Sequence, residues 1–142
     1  MPVVDASVCV AIFNEDDLGH LDAAAWFVAA SLDEEPIVAP AILLAEVGGA
    51  LARAMMDDST PMEVVTLLRS GRLLELFVVD ERLAARAATI AAAFRIRGAD
   101  AIYVALADQL GIPLITSDRQ QLERGGRLVT ARAPGGREAP AS

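Results

Sequence analysis

Residues 97–118, RGADAIYVALADQLGIPLITSD, limit the possible folds more than any other stretch of the chain. They predict a loop, a helix, a short loop and a buried strand at residues 112–116. Asp100 opens the helix, and Asp118 comes just after the strand. One helix face carries only small apolar residues: Ala101, Val104 and Ala105. Because these side chains are small, the helix can lie close to a sheet, as in an α/β domain.

Strands and helices alternate along the rest of the chain. Further strands are predicted at residues 3–5, 37–39, 73–79 and 127–130. Helices are predicted at residues 6–13, 18–32, 40–56, 62–70 and 81–96, with a short helix or turn at 118–124. The second helix has one apolar face, formed by Leu21, Ala25, Val28 and Leu32. This alternation predicts an α/β fold of parallel βαβ units, with apolar strands that suit a sheet covered on both faces.

Length and composition indicate one globular domain. The chain has 142 residues, of which 54% are hydrophobic and 23% are charged, so it can bury a core without disulfide or metal support. We expect residues 1–130 to form the domain and the Pro/Gly-rich residues 131–142 to form a disordered tail. There is no signal peptide and no apolar run of membrane-spanning length, so we expect a cytoplasmic protein.

Scarce side chains exclude several kinds of site. Cys9 and His20 are the only cysteine and the only histidine, which excludes disulfide frameworks and multi-histidine metal sites. The 12 lysine-plus-arginine positions are all arginine, and without lysine a P-loop NTPase is excluded. The net charge of −8 disfavours nucleic-acid binding outside a local arginine patch. The candidates for such a patch, which helix-surface salt bridges explain equally well, are Arg53, Arg69, Arg72, Arg95, Arg97 and Arg119.

Four acids are predicted near one rim of the sheet. Asp5 and Asp118 follow strands, Asp100 begins a helix, and Glu46 lies on or beside the apolar stripe of the helix at 40–56. Ligands of parallel α/β sheets bind outside the carboxyl ends of the strands. Each acid also has an ordinary structural role available: a helix N-cap for Asp5 or Asp100, a turn for Asp118, or an ion pair with Arg53 for Glu46. Their joint placement favours convergence.

Converging carboxylates favour a bound cation. Two like charges ~5 Å apart at an effective dielectric of about 20 repel by roughly 3 kcal/mol. Oxygen ligands without histidine or thiol suit Mg²⁺ or Mn²⁺, and the chemistry that such a site serves is phosphodiester hydrolysis. The hydroxyls of Ser7 and Thr116 lie beside the acids in the sequence. They either orient the reacting groups or make turn and cap hydrogen bonds.

These residues resemble the PIN-domain ribonucleases, and most closely the VapC-like toxins of bacterial type II toxin–antitoxin pairs. The resemblance covers residues 3 to about 129. VVDASV is similar to the family's opening strand, with Asp5 as the first acid and Ser7 as its accompanying hydroxyl. APAILLAEVGGAL is similar to the helix that carries the second acid, Glu46.

The third and fourth blocks complete the resemblance. RGADAIYVALA is similar to the third block, with Asp100 in the acidic position. LITSDRQQL is similar to the fourth, with Thr116 and Asp118 in place, although Ser117 stands where many relatives have asparagine. The order and spacing of the four blocks make the resemblance specific.

The resemblance implies a three-layer α/β/α fold with a parallel sheet and an endoribonuclease that depends on Mg²⁺ or Mn²⁺. Asp5, Glu46, Asp100 and Asp118 would hold the metal, or one of the distal acids would orient the attacking water. It also implies a homodimer and a cognate VapB-like antitoxin that wraps the toxin and blocks its site. Two alternatives remain open. One is a PIN-fold RNA-processing nuclease without an antitoxin, and the other is a noncatalytic acidic interaction module.

Overall fold

The computed structural model describes residues 1–136, which form a five-stranded parallel sheet flanked by helices. The strands are β1 (Val3–Val4), β2 (Val38–Pro40), β3 (Glu75–Phe77), β4 (Leu114–Ile115) and β5 (Ala131–Arg132). The helices are α1 (Ala6–Phe13), α2 (His20–Leu32), α3 (Leu43–Met55), α4 (Ser59–Arg69), α5 (Glu81–Phe94) and α6 (Gly98–Leu110), and a short π-helix spans Gln121–Gly125. The predicted α/β fold class is confirmed. Among the described residues, no helix is both long enough and apolar enough to cross a membrane.

The strand order β3-β2-β1-β4-β5 puts the first strand at the centre of the sheet. On one side of β1, Val3 pairs with Val38; on the other side, β1 pairs with β4. The chain therefore builds the sheet outwards from β1 in one direction and then returns to add β4 and β5 in the other. Such a reversal leaves a crevice at the carboxyl ends of the two strands beside it.

The small face of α6 packs against the sheet as the sequence predicts. Ala101, Val104 and Ala105 are fully buried, and α6 contacts β1, β2 and β4. On α3, a Cβ added at Gly48 would lie 3.3 Å from Cγ2 of Val65. Glycine at this position therefore lets α3 pack closely against α4, which carries Val65.

The apolar face predicted for α2 is wrong as a core face. Leu21 is 82% exposed and Leu32 is 79% exposed. The helix instead buries Ala23 and packs Trp26 and Phe27 against the core. Large aromatic side chains bury more apolar area than leucine, so they set the rotation of this helix against the rest of the molecule.

Several boundaries differ from the prediction, and two of the differences have a clear structural cause. Pro40, expected to open a helix, ends β2 instead, because strand pairing continues past it: the amide of Ala41 donates to the carbonyl of Phe77 at 2.8 Å. The last strand is Ala131–Arg132 rather than residues 127–130. Residues 128 and 129 instead donate their amides to the carbonyl of Gly125 in a turn after the π-helix. The predicted tail thus contributes a strand, and its residues 137–142 lie outside the described residues.

Candidate active site

The carboxyl ends of β1 and β4 bring Asp5 and Asp118 to one rim. Asp5 directly follows β1, and Asp118 follows β4 after two intervening residues. The amide of Asp5 donates to the carbonyl of Ile115 at 3.1 Å, so the two strand ends are joined where the acids begin. This is the crevice at which the strand order reverses.

Asp5 is buried, with 2% of its surface exposed, and both of its carboxylate oxygens are bonded. Oδ1 accepts hydrogen bonds from the Ser7 and Val8 amides at 3.0 and 3.4 Å, and from the Ser7 hydroxyl. Oδ2 accepts from Oγ1 of Thr116 at 2.7 Å and from Nε2 of Gln121 at 2.6 Å. The first set of contacts is an N-cap of α1. The second set ties that cap to the end of β4 and to the π-helix.

Burial raises the pKa of Asp5 from 3.8 to about 6. Loss of hydration disfavours the charged carboxylate, and the hydrogen bonds from Ser7 and Thr116 offset only part of that effect. The negative charge of Asp100 raises the pKa of Asp5 further. The two acids are therefore close enough to interact electrostatically, as the predicted convergence requires.

The two predicted hydroxyls link the acids to the neighbouring backbone. Thr116 Oγ1 donates to Asp5 and accepts from the amide of Asp118 at 3.0 Å. Ser7 Oγ donates to Asp5 and accepts from the amide of Ser117 at 3.0 Å. Each hydroxyl thus makes the turn and cap hydrogen bonds that were predicted as its alternative role. In both cases the acceptor of the hydroxyl is the rim acid Asp5.

Arg97 bonds two of the rim acids, Asp100 and Asp118. Its Nε donates to Oδ2 of Asp100 at 2.9 Å, and its Nη2 donates to Oδ2 of Asp118 at 3.2 Å. Arg97 occupies the N-cap position of α6, and Asp100 lies in the first turn of that helix rather than at the cap. Burial raises the pKa of Asp100, while Arg97 lowers it.

Glu46 reaches the cluster from α3 through Tyr103 of α6. The phenol of Tyr103 donates to Oε1 of Glu46 at 2.5 Å, and Tyr103 itself is fully buried. Burial, followed by the Glu46 contact, raises the pKa of Tyr103 above its usual range, so the phenol remains a donor. The ion pairs of residues 1–136 do not include one between Glu46 and Arg53, the predicted alternative.

An open cleft of about 690 Å³ runs beside these groups. Ser7, Glu46 and Ser117 line it, and Arg53 supplies a positive charge on the wall formed by α3. Gly49 also faces the cleft, and a Cβ added there would lie 3.2 Å from the Arg53 guanidinium. The cleft thus extends from Arg53 to Glu46 and to the two serines, Ser7 and Ser117, that neighbour the acids at the strand ends.

Two buried residues of the cluster were not singled out from the sequence. Gln121 is 1% exposed and donates a hydrogen bond to Asp5. Its Oε1 is the one buried side-chain nitrogen or oxygen atom in residues 1–136 without a hydrogen-bond partner. Tyr103 is the only tyrosine of the chain. The sequence signal for both is a polar side chain at a position where an apolar one is expected. Gln121 has this position in the segment after β4, and Tyr103 has it on the buried face of α6.

The donor chemistry suits a hard divalent cation. Mg²⁺ commonly takes one or two carboxylates together with water and substrate phosphates, and the rim offers carboxylates without histidine or thiol. The arrangement is less open than predicted, however. Within residues 1–136 no group of three or more His, Cys, Asp or Glu side chains is arranged to hold a metal ion, and Arg97 lies between Asp100 and Asp118.

Comparison with solved structures gives the same fold. The Mycobacterium tuberculosis toxin VapC20, which cleaves the sarcin–ricin loop, matches with a TM-score of 0.70 and 18% identity over 80% of this chain and 87% of that one. VapBC2 from Rickettsia felis, bound to a promoter DNA fragment, matches with a TM-score of 0.67 and 13% identity over 92% and 96%. FitAcB from Neisseria gonorrhoeae matches with a TM-score of 0.65 and 22% identity over 94% and 98%.

Sequence comparison assigns the family. A search of curated protein sequences finds no significant match. The family model described as the PIN domain matches residues 3–127, which include β1 to β4, the π-helix and all four predicted acids. The chain therefore belongs to the PIN domain family.

Proposed function

We propose that this PIN domain is a metal-dependent endoribonuclease toxin that hydrolyses RNA phosphodiester bonds and is neutralised by a cognate antitoxin. The observation that carries the proposal is the linked set of four acids at the strand-order reversal. Asp5 and Asp118 share Thr116, Asp100 and Asp118 share Arg97, and Glu46 is held by α6. The cleft beside them, which Glu46 lines, is open to solvent and large enough for part of a polymer chain.

The four acids form the metal site in this proposal, and one of them can instead orient the attacking water. Asp5, Glu46, Asp100 and Asp118 would hold Mg²⁺ or Mn²⁺, which supplies charge neutralisation on the phosphate and favours deprotonation of water. Ser7 and Thr116 fix the orientation of Asp5. Glu46 is fixed through one oxygen by Tyr103 and lines the cleft, so it is suited to orient the attacking water and accept its proton.

The proposed partners follow from the relatives and the charge. Structures similar to this chain include a toxin–antitoxin complex from Klebsiella pneumoniae and the VapBC2 and FitAcB proteins. A basic VapB-like antitoxin segment would complement a chain of net charge −8. We also propose that the chain forms a homodimer and that RNA is cleaved in the cytoplasm.

The test compares two aspartates of α6. Asp100→Asn should reduce cleavage of a labelled RNA at least about 100-fold in Mg²⁺ or Mn²⁺, since it removes a charged group from the reacting centre. Asp108→Asn is the matched control, because Asp108 pairs with Arg86 and, within residues 1–136, has no hydrogen bond or ion pair to Asp5, Glu46 or Asp118. Unchanged cleavage by the Asp100 variant would refute the mechanism.

Expression in cells separates the remaining alternatives. A toxin should arrest growth, and a co-expressed antitoxin should relieve the arrest. RNA cleavage without growth arrest would favour an RNA-processing nuclease. Partner binding without turnover in any divalent metal would favour the acidic interaction module.

A further inference from the structure

Arg97 occupies oxygen atoms that the proposed metal would need. Its guanidinium bonds Oδ2 of Asp100 and Oδ2 of Asp118 at 2.9 and 3.2 Å. The Arg97 side chain is nevertheless 71% exposed. One flexible, largely solvated cation thus holds together two carboxylates that come from different elements, α6 and the segment after β4.

The surrounding charges explain why a cation is held there. The pKa of Arg97 is raised by Asp100, then by Asp118 and, at longer range, by Glu46. Both carboxylates contact the same guanidinium, so they lie close enough to repel each other. The guanidinium relieves this repulsion in the absence of a divalent ion.

We propose that Arg97 and the divalent cation exchange at Asp100 and Asp118. Without metal, Arg97 holds the two carboxylates together; when metal binds, the guanidinium moves to the rim of the cleft and binds a phosphate of the RNA. A guanidinium pairs with phosphate through the same fork of donors that it offers to carboxylates. The inference rests on the proposed function for its RNA partner, whereas the exchange itself needs only metal.

The chain contains a matched control for this exchange. Arg86 bonds Oδ2 of Asp108 at 3.1 Å, also reaches α6, and is 46% exposed. Within residues 1–136, no hydrogen bond or ion pair joins this second arginine–aspartate pair to a rim acid. A purely structural role for Arg97 predicts that both pairs respond alike to metal.

The direct test is NMR of the arginine side-chain Nε–H groups in the full chain during Mg²⁺ titration. The Arg97 signal, assigned by its loss in Arg97→Gln, should move towards the position of a solvent-exposed guanidinium as metal saturates. The Arg86 signal should stay unchanged. An Arg97 signal that is unaffected at metal saturation would overturn the exchange.

Metal affinity gives an independent readout without RNA. Removing the competing guanidinium in Arg97→Gln should tighten Mn²⁺ binding about tenfold at low ionic strength, the scale expected when charge-assisted contacts need not be broken first. Arg86→Gln should bind Mn²⁺ like the unaltered protein. Equal or weaker Mn²⁺ binding by the Arg97 variant would contradict the proposal.

The RNA step is tested at saturating Mn²⁺ with a fluorescent single-stranded RNA. Arg97→Gln should raise KM about tenfold and leave kcat within about twofold, because a phosphate contact shared by the bound substrate and its transition state is lost. An unchanged KM would overturn the phosphate contact. If neither the unaltered protein nor the Arg97 variant binds metal, the proposed metal-dependent function fails as well. Metal binding without movement of Arg97 refutes only this inference.

Discussion

At the scale of single residues, Asp5 uses one carboxyl group for two purposes. Oδ1 caps α1, and Oδ2 receives the side chains of Thr116 and Gln121 from the other end of the chain. Because the group is buried, its charge is poorly hydrated, and its pKa rises to about 6. The charge that the site needs at neutral pH is therefore held at a cost to stability.

Replacing Asp5 with asparagine should remove that loss of stability at neutral pH. A folded-state pKa above the unfolded value of 3.8 means that Asp5 stabilises the fold below pH 3.8, and that this contribution is lost as pH rises through about 6. The shift corresponds to about 3 kcal/mol. Asp5→Asn should thus be more stable than the unaltered protein at pH 7, and the advantage should shrink towards pH 4. Urea unfolding at several pH values measures this, and a pH-independent difference would refute it.

Tyr103→Phe should affect activity more than stability. The substitution removes the donor to Glu46 without adding a buried polar group, so the free energy of unfolding should fall by only about 1 kcal/mol. RNA cleavage should fall by at least about tenfold, because Glu46 loses its fixed orientation. Parallel measurements of denaturant midpoints and initial rates test the separation. Equal, small losses in both would assign Tyr103 to the fold alone.

Sequence reasoning predicted the acids near one rim but not Tyr103 and Gln121, which bond them. Asp5 and Asp118 could be placed because the carboxyl ends of neighbouring parallel strands share a rim. The partner of Tyr103 is 57 positions away, and that of Gln121 is 116 positions away. Such contacts depend on how α3, α6 and the π-helix pack, which local patterns do not specify.

At the scale of elements, α2 shows where periodicity misleads. Its leucines share a face, but that face points to solvent, because Trp26 and Phe27 decide which side packs inwards. The helix ends were more predictable: α1 matches the predicted residues 6–13, and Asp80 caps α5 through the amide of Leu83 at 2.8 Å. Caps are local interactions, whereas helix rotation depends on tertiary packing.

Two leucine-to-alanine substitutions test the packing of these helices. Leu51 of α3 is fully buried, so Leu51→Ala should lower the free energy of unfolding by about 2–5 kcal/mol. Leu32 of α2 is 79% exposed, so Leu32→Ala should change it by no more than about 0.5 kcal/mol. Chemical denaturation at low protein concentration is the measurement. A large loss at Leu32 would show that this face is covered in solution.

At the scale of the whole molecule, the last two strands of the chain complete one half of the sheet. A fragment of residues 1–110 lacks β4, β5 and the π-helix, so β1 loses one neighbour and Asp5 loses the donors on Oδ2. We expect this fragment to show no cooperative thermal transition by circular dichroism, whereas the full chain should show one. A cooperative transition in the fragment would mean that β1 to β3 with α1 to α6 form a stable unit alone.

The central position of β1 has a consequence for synthesis on the ribosome. β1 and Asp5 leave the ribosome before the partner strand β4 and before Thr116 and Gln121, which lie 111 and 116 positions after Asp5. A nascent chain from which these residues have not yet emerged therefore lacks the donors on Oδ2 of Asp5. A ligand that recognises the assembled rim would therefore bind only chains in which β4 and the π-helix have already joined β1.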